Sequence, residues 1–238
     1  MNDANQIKDM ILGWGAHMAG VADIQSLDGL PAIPSDLLEP FTNAISIGVH
    51  LPVDIFGGIS DRPTPGYIAV YREANAILDE VAAKTATHIE SLGSRALAIP
   101  ASEILDRENW MGAVSHKAVA LAAGLGWQGK NLLLITPRHG SRVRLVTVLS
   151  NAPLKTDAPM KNRCGRCSRC HDACPAGAIK NVNTNSHYES RNEALYFDQC
   201  ARKLSEEFAK LPGIGAPVCG ICIRVCPFTG KGKIRMGI

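Results

Sequence analysis

No window of the chain approaches the roughly 18 consecutive apolar residues that a bilayer-spanning helix needs, so a transmembrane anchor is not expected. The first twenty residues, MNDANQIKDMILGWGAHMAG, have no basic leading segment and are interrupted by Asp9 and His17, so neither a secretion signal nor a twin-arginine export signal is expected. A cytoplasmic protein is the resulting expectation. There is also little net charge. The formal balance of +3 is too small to argue for nucleic acid by itself. What remains is a 238-residue chain, 46% hydrophobic and 20% charged, with room for one sizeable core and a small module.

Hydrophobic spacing orders the first two thirds. Ile7, Met10, Ile11, Trp14 and Met18 recur at helical intervals, predicting an amphipathic helix over 4–19. Residues 44–49 read as a buried strand. A long helix over 68–92 turns Val70, Ala74, Ile77, Leu78, Val81 and Ala82 inward and ends near Gly93. A strand over 96–99, an alanine-rich helix over 113–123, and strands over 132–136 and 143–150 follow, the last two separated by the turn-like Pro137-Arg138-His139-Gly140. Strands alternating with helices predict a layered α/β or α+β domain over 1–155. From 156 the composition shifts to Cys, Lys, Arg, Pro and Asn, marking a second module over 156–238.

All eight cysteines lie in that module. In a reducing compartment they are not read as a disulfide framework, and metal binding leads. The spacing is Cys164-x2-Cys167-x2-Cys170-x3-Cys174-Pro175, then Cys200, then Cys219-x2-Cys222-x3-Cys226-Pro227. A tight C-x2-C-x2-C turn supplies three thiolates to a cubane, and the fourth cysteine reaches the other cluster. Applied here, Cys164, Cys167, Cys170 and Cys226 hold one 4Fe–4S cluster, and Cys174, Cys200, Cys219 and Cys222 hold another. This is a two-cluster ferredoxin-like arrangement in which Cys200 approaches from a helix over 189–210. Each cluster with its thiolates carries about −2 when oxidised, bringing the loaded protein near neutrality. The alternative is zinc, which prefers paired C-x2-C ligands and gives no reason for a Cys-Pro closing both halves. His171, lying among four-thiolate sets, reads as a supporting or surface residue.

Gly124-Leu125-Gly126-Trp127-Gln128-Gly129-Lys130-Asn131 has the letters of G-x-G-x-x-G and nearly those of G-x4-G-K-[ST]. Both nucleotide motifs need a strand before the loop and a helix after it, so that phosphate meets a helix N-terminus. Here a helix precedes and a strand follows, and Asn131 replaces the hydroxyl that would hold magnesium. The glycines then serve either close approach of backbone to a ligand or a helix-to-strand turn.

The stretch Ser115–Ile135 (SHKAVALAAGLGWQGKNLLLI), followed by Gly140-Ser141-Arg142-Val143-Arg144 and by Asn151-Ala152-Pro153-Leu154 ahead of the first cysteines, resembles the epoxyqueuosine reductases. More distantly the chain is similar to the reductive dehalogenases. The resemblance implies a nitroreductase-like N-terminal domain that holds cobalamin without a protein ligand below the cobalt, fed with single electrons by the clusters. Partners implied are a low-potential donor, such as ferredoxin or flavodoxin, and a small-molecule substrate. Two departures argue against tRNA as substrate. The position at which these reductases carry a proton-donating aspartate, fourteen residues before the loop, is Trp110, and the chain stops twelve residues after Cys226, without the tRNA-binding helical repeats. A shorter relative is expected, matching also in Tyr71-x3-Asn75 and Ser115-His116.

With a cofactor over the glycine loop, the candidate binding residues are Trp110, Ser115, Gly124, Gly126, Trp127, Gly129, Lys130, Arg142 and Arg144, and the candidate acids are His116 and Tyr71. Each has a plainer role available. His116 near a helix start suits a cap or a satisfied core group, Tyr71 suits packing, and Arg142 and Arg144 suit the solvated face of a strand. Two other functions compete with a cobalamin reductase: an electron carrier serving a partner enzyme, and a flavin-dependent reductase argued from fold analogy alone.

Overall fold

The computed structural model describes residues 3–184, 187–188 and 190–230. By compactness the chain forms two units. One takes the residues up to 49, 73–126 and 144–160; the other takes 50–72, 127–143 and the chain from 161 onward. The cysteine module thus draws two segments from the N-terminal part of the sequence into its own unit.

The first unit is built on a four-stranded sheet in the order β1-β2-β6-β3. Strand β1 (Met18–Asp23) pairs antiparallel with β2 (Asn43–His50), and β3 (Ala96–Ile99) pairs antiparallel with β6 (Val143–Ser150). From Asn43 to Val49 every residue of β2 is buried, the mark of a strand covered on both faces. Ala22, Ala44, Ile99 and Leu149 share a core with Val119, Ala122 and Ala123 of helix α3 (His116–Ala122) and its C-terminal flank. Side chains alternate along a strand, so Ile45, Ile47 and Val49 serve the opposite face from Ala44.

The mixed α/β class is as expected, with several differences in detail. Helix α1 (Ala4–Gly13) is shorter than the periodicity predicts. Asp3 caps its start, Gly15 takes φ +107°, and Met18 opens β1 instead of closing the helix. Methionine-alanine-glycine is a weak strand signature, which is why β1 is hidden in the sequence. Helix α2 (Pro65–Ser91) starts on its proline, whose missing N–H costs nothing in the first turn. The strand expected over 132–136 narrows to β5 (Leu134–Ile135), which pairs with β4 (Trp127–Gln128). The helix expected over 189–210 breaks into α5 (Arg191–Ala194), α6 (Phe197–Arg202), a π turn over Lys203–Glu207 and a single 3-10 turn. Helix α4 (Arg169–Asp172) carries Cys170, and helix α7 (Ile221–Arg224) carries Cys222. Among the described residues no helix is long and apolar enough to cross a membrane.

Candidate iron–sulfur and cofactor sites

None of the eight cysteines is in a disulfide, and all are partly buried. Cys164, Cys167, Cys170 and Cys226 line one cavity with Lys130, Asn131, Ile135, Pro227 and Phe228. Their electrostatics follow the same grouping except at Cys222, on which Cys170 also bears. Burial pushes the Cys170 thiol up to about 11, helped by the charges of Cys164, Cys226 and Cys167. Cys226 is raised by burial and then by Cys164 and Cys167. Cys219 is pushed up to about 11 by burial and by the charges of Cys200 and Cys174. Cys222 is driven well above its ordinary range by burial, with Cys219, Cys200, Cys170 and Cys174 adding to the cost. Each group therefore gathers thiols where four thiolates without a cation would be strongly disfavoured. A polycationic iron core supplies the charge that makes such a donor set tenable, so the residues fit the group that their spacing implies. Among the described residues no three His, Cys, Asp or Glu close on a single-ion site.

Polar side chains that sequence reasoning overlooked shape these loops. Asn162 donates from Nδ2 to the carbonyls of Gln128 (2.8 Å) and Thr184 (2.7 Å), while its Oδ1 accepts from Cys164 N (2.8 Å). The amide thereby fixes the entry to the first cysteine loop. Gln128 in turn accepts from Tyr188 N at 2.9 Å. The Cys174 sulfur accepts the N–H of Ala178 at 3.3 Å, a contact that stabilises negative sulfur. His171 turns its Nδ1 to the carbonyl of Ile179. The overlooked signal was that an asparagine two residues before a cysteine can bond that cysteine's N–H as an Asx turn.

The glycine loop proves to be a helix cap followed by a hairpin. Gly124, at φ +68°, ends α3, and a Cβ there would lie 2.4 Å from the carbonyl oxygen of Ala158. Gly129 N donates to Leu133 O (2.8 Å) and Leu132 N to Gly129 O (2.9 Å), closing the β4–β5 turn. A Cβ on Gly129 would meet Asn131 Oδ1 at 2.6 Å and Ile135 at 2.7 Å. Both glycines are thus accounted for by chain packing. Gly126 is buried, and Trp127 is 1% exposed, packed edge-on to Phe228 with ring centroids 5.0 Å apart.

The remaining candidates fall into separate places. Ser115 caps α3, accepting from Ala118 N. His116 Nε2 lies 3.0 Å from the Pro100 carbonyl, which can only accept, so Nε2 carries the proton and Nδ1 accepts from the Thr147 hydroxyl at 2.8 Å. Burial lowers its pKa to about 4, the Pro100 carbonyl opposing and Arg144 assisting, which keeps the ring neutral. Arg144 donates to Asn75 Oδ1 (2.9 Å) and Ala101 O (3.3 Å), Asn75 reaches Ser102 Oγ (3.2 Å), and Asp79 accepts from Ala101 N (2.8 Å). His116 and Arg144 consequently clamp residues 100–102, the base of a loop whose tip is Trp110. Trp110 sits at φ +52°, a costly conformation for an aromatic residue, and lines an open pocket with Ser102, Ile104 and Arg107.

Three candidates belong to the other unit. Arg142 is buried, with Nε on Thr229 O (3.0 Å), one terminal nitrogen on Leu51 O and the other 3.2 Å from His139 Nδ1. Its fork is spent on the fold and not on a solvated strand face, since Arg142 precedes β6. Tyr71 stands in an aromatic row on α2, its ring 6.4 Å from Tyr67, which lies 5.3 Å from Phe56. Lys130 is 5% exposed and turns to the first cysteine cavity.

Residues 163–229 match the model of the 4Fe-4S double cluster binding domain. Over 246 aligned residues the chain is 32% identical to an epoxyqueuosine reductase of Aliivibrio fischeri, covering 98% of this chain and 62% of that protein. It is 30% identical over 231 residues to one of a Synechococcus species, covering 92% and 64%. With the Bacillus subtilis epoxyqueuosine reductase the match is 36% over 122 residues, about half of this chain and 31% of the relative, so the chain spans only part of the curated relatives it matches. Among solved structures, a catabolic reductive dehalogenase in complex with 3-bromo-4-hydroxybenzoic acid superposes with a TM-score of 0.74 at 18% identity, covering 96% of this chain and 32% of that one. An epoxyqueuosine reductase solved with a modified tRNA stem loop superposes with a TM-score of 0.62 at 23% identity, covering 97% and 66%. A further reductive dehalogenase structure, whose subject is B12-dependent dehalogenation, gives 0.73 at 18% identity.

Proposed function

From a chain that is epoxyqueuosine reductase-like in sequence, reductive dehalogenase-like in fold and equipped with a double 4Fe–4S cluster domain, we propose a reductase that delivers single electrons to a cobalamin in the N-terminal domain. The observation that carries this reading is the match of residues 163–229 to a 4Fe-4S double cluster binding domain, with four of its thiols lining one cavity. Cys164, Cys167, Cys170 and Cys226 share one cavity, while the charges of Cys200 and Cys174 bear on both Cys219 and Cys222, with Cys170 also acting on Cys222. We assign the first four, and Cys174, Cys200, Cys219 and Cys222, as the two ligand sets. A carrier alone needs only the cluster module, whereas here a sheet domain of comparable size accompanies it.

Bound cobalamin would supply a low-valent metal able to reduce or attack an electrophilic substrate. The chain's own part is to hold the clusters and to present the Trp110 loop on the base fixed by His116 and Arg144. His116, neutral and bonded at both nitrogens, acts here as a positioning residue, and Tyr71 is retained as the candidate acid. A small electrophile is the substrate class of this reading, and Arg107, which lines the Trp110 pocket, is the cation available for an anionic group. A soluble low-potential donor of the ferredoxin or flavodoxin kind in the cytoplasm would supply the electrons.

The test is the spectrum of the supernatant after acid precipitation of anaerobically purified, corrinoid-supplemented protein. A corrinoid spectrum is expected. Flavin would move the reading to a flavoenzyme, and neither would leave an electron carrier. Turnover assays on halogenated phenols and on epoxyqueuosine-bearing tRNA stem loops then separate a small-molecule substrate from the one seen with the relative.

A further inference from the structure

The Gly129-Lys130 pair, which imitates a phosphate-binding loop, is used for something else in this fold. Lys130 begins the β4–β5 turn and its side chain is 5% exposed. Its ammonium donates to the carbonyl of Cys167 at 3.0 Å and to Oδ1 of Asn181 at 2.9 Å. Asn181 is held at φ +62°, a left-handed conformation that asparagine tolerates better than most residues. An ammonium has three donors, and these two bonds leave one. Among the described residues no carboxylate pairs with it, since the ion pairs are Lys8–Asp157, Arg62–Asp61, Lys84–Glu80 and Lys203–Glu207. A buried cation held only by neutral acceptors is costly unless an anion lies nearby. The groups with which Lys130 shares its cavity are Cys164, Cys167, Cys170 and Cys226.

We infer that Lys130 is the built-in counter-ion of the cluster bound by Cys164, Cys167, Cys170 and Cys226, and that it raises that cluster's reduction potential by favouring the more negative, reduced state. The inference rests on the cluster reading above. One electron from a low-potential one-electron donor takes the cluster with its four thiolates from about −2 to about −3. A fixed positive charge in a low-dielectric pocket stabilises the second state more than the first. No proton or bond change is needed. The two neutral acceptors anchor the ammonium against Cys167's own peptide, so the charge moves with the ligand loop.

The experiment is an EPR-monitored potentiometric titration of the fully reconstituted protein, compared with Lys130→Gln, Lys130→Arg and Asn181→Asp, with iron content measured on each sample. Lys130→Gln is expected to load two clusters and to show one of its two midpoints lowered by about 59 mV, the one-electron equivalent of a tenfold change in the reduced-to-oxidised ratio. The other midpoint stays in place. Lys130→Arg restores the wild-type value, and Asn181→Asp, which sets a carboxylate against the ammonium, lowers the same midpoint. Unchanged midpoints in loaded Lys130→Gln would overturn the inference while leaving the clusters standing. If Lys130→Gln fails to load, Asn181→Asp decides, and an unmoved midpoint there overturns it. A wild-type chain that takes up no iron overturns the cluster reading itself, and the inference with it.

Discussion

Cys174 lies four residues after Cys170, and its charge bears on the sequence-distant Cys219 and Cys222, as the crossed assignment expects. That assignment gives a sharp expectation at the level of one atom. Cys174→Ser replaces a soft thiolate with a poor hydroxyl ligand and also removes the N–H···S contact from Ala178. Iron content should fall by about half, the surviving signal being that of the Cys164 group; loss confined to the Cys164 group would refute the crossed assignment. His116 offers a second residue-scale test. Its pKa of about 4 lies below the ordinary histidine value, so on acidification the unfolded chain takes up its proton first. Stability should therefore decline as pH falls from about 6.5 towards 4, by up to a few kcal/mol, and be indifferent to His116 above that window. Denaturant unfolding of wild type and His116→Gln across that range measures it: the variant should lose this part of the slope. Parallel slopes would mean that the ring is not held neutral.

The glycine hairpin is the element on which sequence and structure diverge most instructively. Its letters imitate nucleotide loops, and the order of helix and strand around them was enough to reject that reading. The reason for Gly129 was not legible, because it depends on Ile135 and Asn131 folding back over it within one turn. Gly129→Ala should therefore cost about 1–3 kcal/mol, as overpacking does, and lower Tm without altering ligand chemistry; a scanning calorimetry trace unchanged from wild type would remove the packing account. The same distinction runs through the other elements. Strand β2 and helix α2 announced themselves by apolar runs and helical spacing, and the cysteines by motif, because in each case the signal is local. Strand β1 did not, since Ala19, Gly20 and Ala22 are small residues whose strand state comes from pairing with Ile47, Ser46 and Ala44. Arg142 was misread for a related cause: alternation with Arg144 looked like a solvated strand face, whereas Leu51, His139 and Thr229 bury it through contacts distant in sequence. The long helix over 189–210 failed for a third cause, since Leu195 leaves helical geometry to bridge Ile179.

At the scale of the whole molecule the two units differ in what holds them together. The sheet unit has two eight-residue strands, buried almost throughout, and a core that recruits α3. It has no evident need of metal to fold. The cysteine module is made otherwise. Its helices α4, α5 and α7 have four residues each and α6 has six, lengths that do not persist in isolation. One cluster of its core is Ile179, Tyr188, Ala194 and Leu195, and the half-buried groups packed on them are Leu132 and the cysteines Cys170, Cys174 and Cys222. Removing iron would leave those thiols in this cluster without the cation that offsets their burial. Anaerobic chelation should therefore abolish hydrogen-exchange protection over residues 164–182 and 197–226 while the amides of β2 and β6 stay protected, read by mass spectrometry of peptides from the loaded and stripped protein. Protection persisting in the cysteine segments after iron loss would show that side-chain packing alone sustains them. Loss spreading through β2 and β6 would show instead that the sheet unit also depends on the clusters.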